Sequence, residues 1–253
     1  MPAKLLILGG TAEAAALAGA IDRKFGQSVD LITSLAGRMI TLPNLPGRLR
    51  VGGFGGVDGL AAYLANESIG AVIDATHPFA KNISAHAVAA CREAKVPLLA
   101  LERPAWPRKA GDNWIIAPDM QAAASQVAAL GKRVFLTIGR MELDAFRDIR
   151  GVWFLVRLIE RPRLPLPGHW HMVLGRPPFD VDGETRLMQE HGIDLVVSKA
   201  SGGEATYGKI AAAGALNIPV LMIERPRQEE TASAASLDEA LARIADTLFS
   251  QTT

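Results

Sequence analysis

Short runs of wholly apolar residues, such as Leu5-Leu6-Ile7-Leu8, Ala71-Val72-Ile73 and Leu195-Val196-Val197, alternate along this chain with alanine-rich amphipathic stretches. A run without a polar face suits a strand buried on both sides, and that calls for a parallel sheet covered by helices. The alternation predicts strands at about 4–8, 28–33, 48–51, 71–74 and 97–101, with helices at about 12–24, 57–67 and 80–94. A second series follows, with strands near 133–138, 152–159, 170–174, 194–198 and 219–223 and helices near 119–130, 141–148, 182–191, 205–216 and 236–249. Between the two series, residues 103–113 carry two prolines, a glycine and several charges, and read as a crossover or hinge. The expected architecture is therefore two α/β domains, 1–103 and 113–253, facing across a cleft. A short echo supports the division: Pro97 to Pro104 and Pro219 to Pro226 are each an apolar strand closed by Glu-Arg-Pro.

Lys and Arg total 27 against 26 Asp and Glu, so no net field draws the chain to nucleic acid, and any anion must be met by local cations. Cys91 is the single cysteine, which excludes an intramolecular disulfide and suits a reducing compartment. The run at 5–8 is too short for a secretory signal, and no apolar run approaches the ~18 residues of a membrane span. These features predict a soluble cytoplasmic protein, monomeric or a small homo-oligomer, with a small-molecule partner.

Leu8-Gly9-Gly10-Thr11-Ala12 joins a strand to a helix through a glycine turn, where a doubly wound, Rossmann-like fold offers free backbone N–H groups to a pyrophosphate. The full G-x-G-x-x-G spacing is absent. After the second strand, a site for NAD places Asp or Glu against the ribose; this chain has Thr33-Ser34-Leu35-Ala36-Gly37-Arg38 instead. A hydroxyl and a guanidinium suit a 2′-phosphate, which favours NADPH as cofactor. Gly53 lies in a glycine-rich loop that lets a ligand approach the backbone, and Asp74-Ala-Thr76-His77-Pro gathers polar groups at another strand exit. Thr76 and His77 suit the ribose, the nicotinamide or the substrate; a capped helix entry is the alternative reading.

The densest polar cluster, Asp194-Leu-Val-Val-Ser198-Lys199-Ala-Ser201-Gly202-Gly203-Glu204-Ala-Thr206-Tyr207-Gly208-Lys209, follows a buried strand and opens a helix; an ordinary capped helix start, with Ser201 or Thr206 as cap and Lys199 and Lys209 solvated, is the alternative reading. Backbone donors at Ser201, Gly202 and Gly203 suit an anion, Lys199 a negative charge, and Tyr207 stacking or proton donation. Arg140, Arg157, Arg161 and Arg176 mark other strand exits, as a substrate with several carboxylates would require, and spacing does not rank them. His169 and His171 flank Trp170 with no third ligand placed by spacing, so no metal site is expected.

Ile7 to Ala14, Asp74 to Ala80, Lys199 to Tyr207 and Ile218 to Pro226 together resemble, in order and across almost the whole chain, the landmarks of the precorrin-6A reductases of cobalamin biosynthesis. The resemblance implies hydride transfer from a reduced nicotinamide nucleotide to a double bond in the C18=C19 region of a methylated tetrapyrrole polycarboxylate, giving precorrin-6B. It assigns Gly9, Gly10, Thr11, Ser34, Arg38, Gly53, Thr76, Ser201, Gly202, Gly203 and Glu204 to the cofactor, and His77, Lys199 and Tyr207 to catalysis. The proton source stays open among Tyr207, Lys199, His77 and solvent. The alternative within the family is a cobalt-precorrin-6A reductase of the anaerobic pathway using NADH. Outside the family, a two-domain binding protein without chemistry and a methyltransferase of similar build are the alternatives; the missing signal peptide opposes the first and the missing acid after the second strand the second.

Overall fold

The computed structural model describes residues 2–37, 42–162, 165–227 and 229–249. In chain order the elements are β1 (Ala3–Leu8), α1 (Ala12–Phe25), β2 (Val29–Leu35), β3 (Arg48–Val51), α2 (Gly56–Asn66), β4 (Ala71–Asp74), α3 (Lys81–Ala94) and β5 (Leu98–Leu101). There follow β6 (Trp114–Ala117), α4 (Met120–Leu130), β7 (Arg133–Leu136), β8 (Trp153–Leu158), β9 (Trp170–Leu174), α5 (Val181–Glu190), β10 (Leu195–Lys199), α6 (Gly208–Ala215) and β11 (Val220–Ile223). The last elements are β12 (Ala232–Ala234) and α7 (Leu237–Phe249). They form two units: the chain up to Arg103 together with the chain from Arg227, and Pro104–Pro226.

The first unit holds a six-stranded sheet of order β12-β5-β4-β1-β2-β3, parallel in every pairing. β1 lies at its centre because Leu5 to Leu8 have no polar side to show water. Leu5 and Ile7 pack in one core with Leu17 and Ile21 of α1 and Ile244 of α7, whereas Leu6 and Leu8 pack in the other with Leu60 and Leu64 of α2. This period-two split between two helical layers is what a doubly covered strand requires. The apolar face of α1, Ala14, Leu17, Ala18 and Ile21, follows helical spacing, and Thr11 caps it by accepting from the Ala14 N–H at 3.1 Å.

The second unit repeats the plan. Its sheet runs β6-β11-β10-β7-β8-β9, again parallel, with Phe135, Leu155 and Val196 in a core shared with Ile210 and Met188. Counted from the central strand, both sheets have the order 3-2-1-4-5 plus a sixth strand, and β5 and β11, the two halves of the Glu-Arg-Pro echo, hold the same fifth position.

The sequence reading differs from the structure at the sixth strands. A second domain over 113–253 is the expectation, yet the chain from Arg227 returns to the first unit: β12 pairs with β5, Ala232 opposite Leu99 and Ala234 opposite Leu101. Ala240, Leu241 and Ile244 of α7 fill the core beside Leu5 and Ile7. Without β12, β5 would be an open apolar edge, which parallel sheets do not tolerate. In the second sheet β6 covers β11 in the same way, with Trp114 opposite Val220. Neither β6 nor β12 is among the expected strands, since four and three residues between irregular segments carry too little pattern. The expected helix at 141–148 is a 3-10 helix, Arg140–Phe146.

Candidate functional site

In the first unit the chain leaves β1 for β2 on one side of the sheet, and β4 begins on the other side of β1. The carboxyl ends of β1 and β4 are the point where such a sheet opens to a ligand. Gly9 fits there because a Cβ would stand 3.2 Å from Thr33 Cγ2 and 3.4 Å from Ala14 Cβ. Gly10 has φ of +110° and nothing within 4 Å of a Cβ, so the space above the turn is open. The Thr11 hydroxyl donates to the Ala75 carbonyl at 2.8 Å and ties the turn to the exit of β4. A glycine turn opening a helix, with open space over it, fits the pyrophosphate of a dinucleotide. Glu13, in the first turn of α1, is ion-paired with Arg103.

At the exit of β4, Asp74 is buried and receives the Thr76 N–H at 3.0 Å and the Thr76 hydroxyl at 2.6 Å. The His77 Nδ1 accepts from the Phe79 N–H at 3.2 Å, which assigns the ring proton to Nε2. Ser34 ends buried beneath Arg50, whose Nη1 reaches its Oγ at 3.3 Å. Arg38 lies outside the described residues. The first unit therefore gathers Gly9, Gly10, Thr11, Ser34, Gly53, Thr76 and His77 at the carboxyl ends of β1 to β4.

The remaining candidates belong to the second unit, after β10. Lys199 Nζ donates to Glu142 Oε1 at 3.1 Å, which joins the exit of β10 to the turn after β7 much as Thr11 joins β1 to β4. Gly202 and Gly203 have φ of +68° and +85°, and a Cβ on Gly202 would strike the Pro104 carbonyl and approach Arg225. Arg225 Nε donates to the Ala200 carbonyl at 2.7 Å and Trp106 Nε1 to the Gly203 carbonyl at 2.9 Å. The Tyr207 ring lies 6.0 Å from Trp106, with Lys109 Nζ 4.9 Å from its centre. Glu204 is exposed and opens the 3-10 turn Glu204–Thr206.

Below this loop Lys209 is buried, its Nζ donating to the Thr206 carbonyl at 2.7 Å. Burial, and then the charge of Arg157, pull its pKa down to about 7 against the opposing charge of Glu184. Arg157 is ion-paired with Glu184 and stacked 3.6 Å over Phe179, so it belongs to the core, while Arg140, Arg161 and Arg176 are exposed. Arg176 holds Glu160 at 2.8 Å. The histidines play other parts: His171 stacks on Trp153 at 6.0 Å and His169 accepts from Trp170. Cys91 is buried, and desolvation pushes its thiol up to about 12, so it is no nucleophile.

The sequence reading missed Arg50, Trp106 and Glu142. Each touches a partner distant in sequence, so no local motif announces it.

The family model for the precorrin-6x reductases CbiJ/CobK matches residues 4–245. The chain belongs to the precorrin-6x reductase family. This member is 49% identical over 224 residues to the precorrin-6A reductase of Rhodococcus erythropolis, covering 88% of the chain and 89% of that protein. It is 41% identical over 244 residues to the precorrin-6A reductase of Rhodobacter capsulatus, covering 96% of each. The solved structure of a CobK precorrin-6A reductase superimposes with a TM-score of 0.91 at 40% identity, covering 97% of each chain. Among the described residues of this family member, no helix is long and apolar enough to cross a membrane.

Proposed function

We propose that this chain is an NADPH-dependent precorrin-6A reductase that saturates a double bond in the C18=C19 region of the macrocycle, giving precorrin-6B. The observation that carries the cofactor assignment is the turn at Gly9-Gly10-Thr11, set at the switch point of a 3-2-1-4-5 sheet with open space over Gly10. The substrate comes from the relatives, which bear that name and match nearly end to end. When bound, the reduced nicotinamide supplies the hydride.

The N–H groups of Gly10 and Thr11 hold the pyrophosphate, Gly9, whose own N–H donates to the Ser34 carbonyl at 2.9 Å, keeps the turn tight beneath it, and the Arg103 partner of Glu13 removes a negative charge from its neighbourhood. Ser34 and Arg38 receive the 2′-phosphate, and Gly53 and Thr76 border the same cofactor. Ser201, Gly202, Gly203 and Glu204 are assigned to it as well. His77 with its Nε2–H, Lys199 and Tyr207 are the groups of this chain able to deliver the proton that accompanies the hydride. Asp74 fixes Thr76, and Glu142 fixes Lys199, so these side chains are oriented before any ligand arrives.

The test is turnover: NADPH oxidation by the purified chain with precorrin-6A, beside titrations of its tryptophan fluorescence with NADPH, NADH and S-adenosylmethionine. The expected result is NADPH oxidation dependent on precorrin-6A, with NADPH binding tightest; tight binding of S-adenosylmethionine alone would sink the assignment. Arg38→Ala should raise the KM for NADPH far more than that for NADH, and an equal rise would refute its role at the phosphate.

A further inference from the structure

We propose that Arg50 is a specificity determinant for the cofactor, reading the phosphoryl group on the adenosine 2′-oxygen; this rests on the dinucleotide reading above. Arg50 lies in β3 directly opposite Ser34 in β2, at the strand end where a doubly wound sheet meets the adenosine ribose. Its Nη1 donates to the Ser34 hydroxyl at 3.3 Å and to the Gly52 carbonyl at 2.6 Å, and its Nη2 to the Gly53 carbonyl at 2.9 Å. The guanidinium carbon lies 3.7 Å from the centre of the Phe54 ring, and that ring meets Tyr63 edge-on at 5.2 Å. Three acceptors and a stacked face fix the plane of the cation, so little rotamer freedom is left to lose on binding an anion.

The charge of this cation is also unspent. All three of its acceptors are neutral, whereas Arg48, two residues earlier on the same strand, reaches Asp30 at 3.3 Å and Glu67 at 3.1 Å. Among the described residues, the Nε–H and one Nη2–H of Arg50 carry no hydrogen bond, which leaves two donors of the guanidinium fork for phosphate oxygens.

Gly53 supplies a second, independent observation. Gly52, Gly55 and Gly56 have positive φ, which accounts for them; Gly53 does not, and a Cβ there would meet no atom within 4 Å. Neither backbone nor packing requires glycine at this position. The space it leaves, beside the carbonyl that Arg50 grips, is room for a ligand.

A guanidinium that merely pins the glycine loop would serve phosphorylated and unphosphorylated nucleotides alike, and the test turns on that difference. Calorimetric titration of the full chain with 2′,5′-ADP and with 5′-AMP reads the preference directly. The wild type should favour 2′,5′-ADP by about tenfold or more, and Arg50→Gln should cut that ratio by about threefold or more, Arg38 keeping the remainder, while 5′-AMP binding changes less than about twofold. Arg50→Lys, which keeps the charge but not the fork, should retain part of the preference, and it stands in if the glutamine variant fails to fold by circular dichroism. Gly53→Val, with an ordinary backbone and free space, should keep its melting temperature and weaken both nucleotides. A preference undiminished in Arg50→Gln, or an equal loss of both nucleotides in that variant, overturns the role of Arg50 and leaves the dinucleotide reading standing. A wild type that binds neither nucleotide overturns both.

Discussion

Glu13 stands in the first turn of α1, where its carboxylate alone would oppose an incoming pyrophosphate, and Arg103 answers it from the end of β5. Arg103→Ala should therefore raise the KM for NADPH and NADH alike, by roughly two- to fivefold, since the pyrophosphate is common to both. Steady-state assays with each nucleotide check this, and an effect confined to NADPH would contradict it. Lys209 makes a different prediction. Its folded pKa near 7 lies below the ordinary value of 10.5, so between those values the unfolded chain binds more protons than the folded one and stability rises with pH. Arg157 and Glu184 are the charges that face it, the first lowering and the second raising its pKa. Urea unfolding of the wild type and of Lys209→Met, from about pH 7 to about pH 9, should show the wild type gaining on the variant by about 1.4 kcal/mol per unit at most. A constant difference would mean that the buried amine does not titrate there. The glycine turn and the Lys199 to Tyr207 segment were legible as local strings, whereas Arg50 and Ser34 lie 16 residues apart and Trp106 and Gly203 lie 97 apart. No periodicity reports such a meeting.

Elements were legible in proportion to how much pattern they carry. β1, α1, β4 and α3 were expected within a residue or two because buried runs and helical apolar faces span them fully. β6 and β12 were not, and both are sixth strands whose role is to cover an edge. Their existence is a demand of the neighbouring strand, which propensity does not express. Truncation after Arg227 tests this directly. Removing β12 and α7 uncovers Leu99 and takes Ala240, Leu241 and Ile244 out of the core that holds Leu5 and Ile7. The shortened chain should lose the cooperative unfolding of its first unit and aggregate, as followed by thermal melting and light scattering. A soluble product with an unchanged melt would show that the first unit does not depend on β12 and α7 to cover β5.

At the scale of the molecule, one sheet order is used twice, and the two exits of the central strand differ in chemistry. After β1 stand two glycines and an α-helix; after β7 stand Gly139, Arg140 and a 3-10 helix. The exposed apolar side chains Met141, Ile159 and Leu174 follow or end β7, β8 and β9, each within two residues of a cation, Arg140, Arg161 and Arg176. Apolar surface interleaved with cations suits a flat macrocycle edged with carboxylates. Arg140 and Arg161 carry no ion pair among the described residues, unlike Arg157 and Arg176. Replacing both with alanine should raise the KM for precorrin-6A by roughly tenfold or more while the KM for NADPH stays put. A rise in the KM for NADPH instead would move these arginines to the cofactor.

The amino-acid sequence by itself determined the parallel α/β class, the position of the glycine turn, the family and most strands and helices, because each is written in contiguous residues with a period of their own. Tertiary structure alone decided that the chain beyond Arg227 belongs with its beginning, that Arg157 is a core cation and Arg140 a surface one, and that Ser34 lies under Arg50. Those facts depend on which strand needs an edge covered and which charge finds a partner, and both are settled only when distant segments are brought side by side.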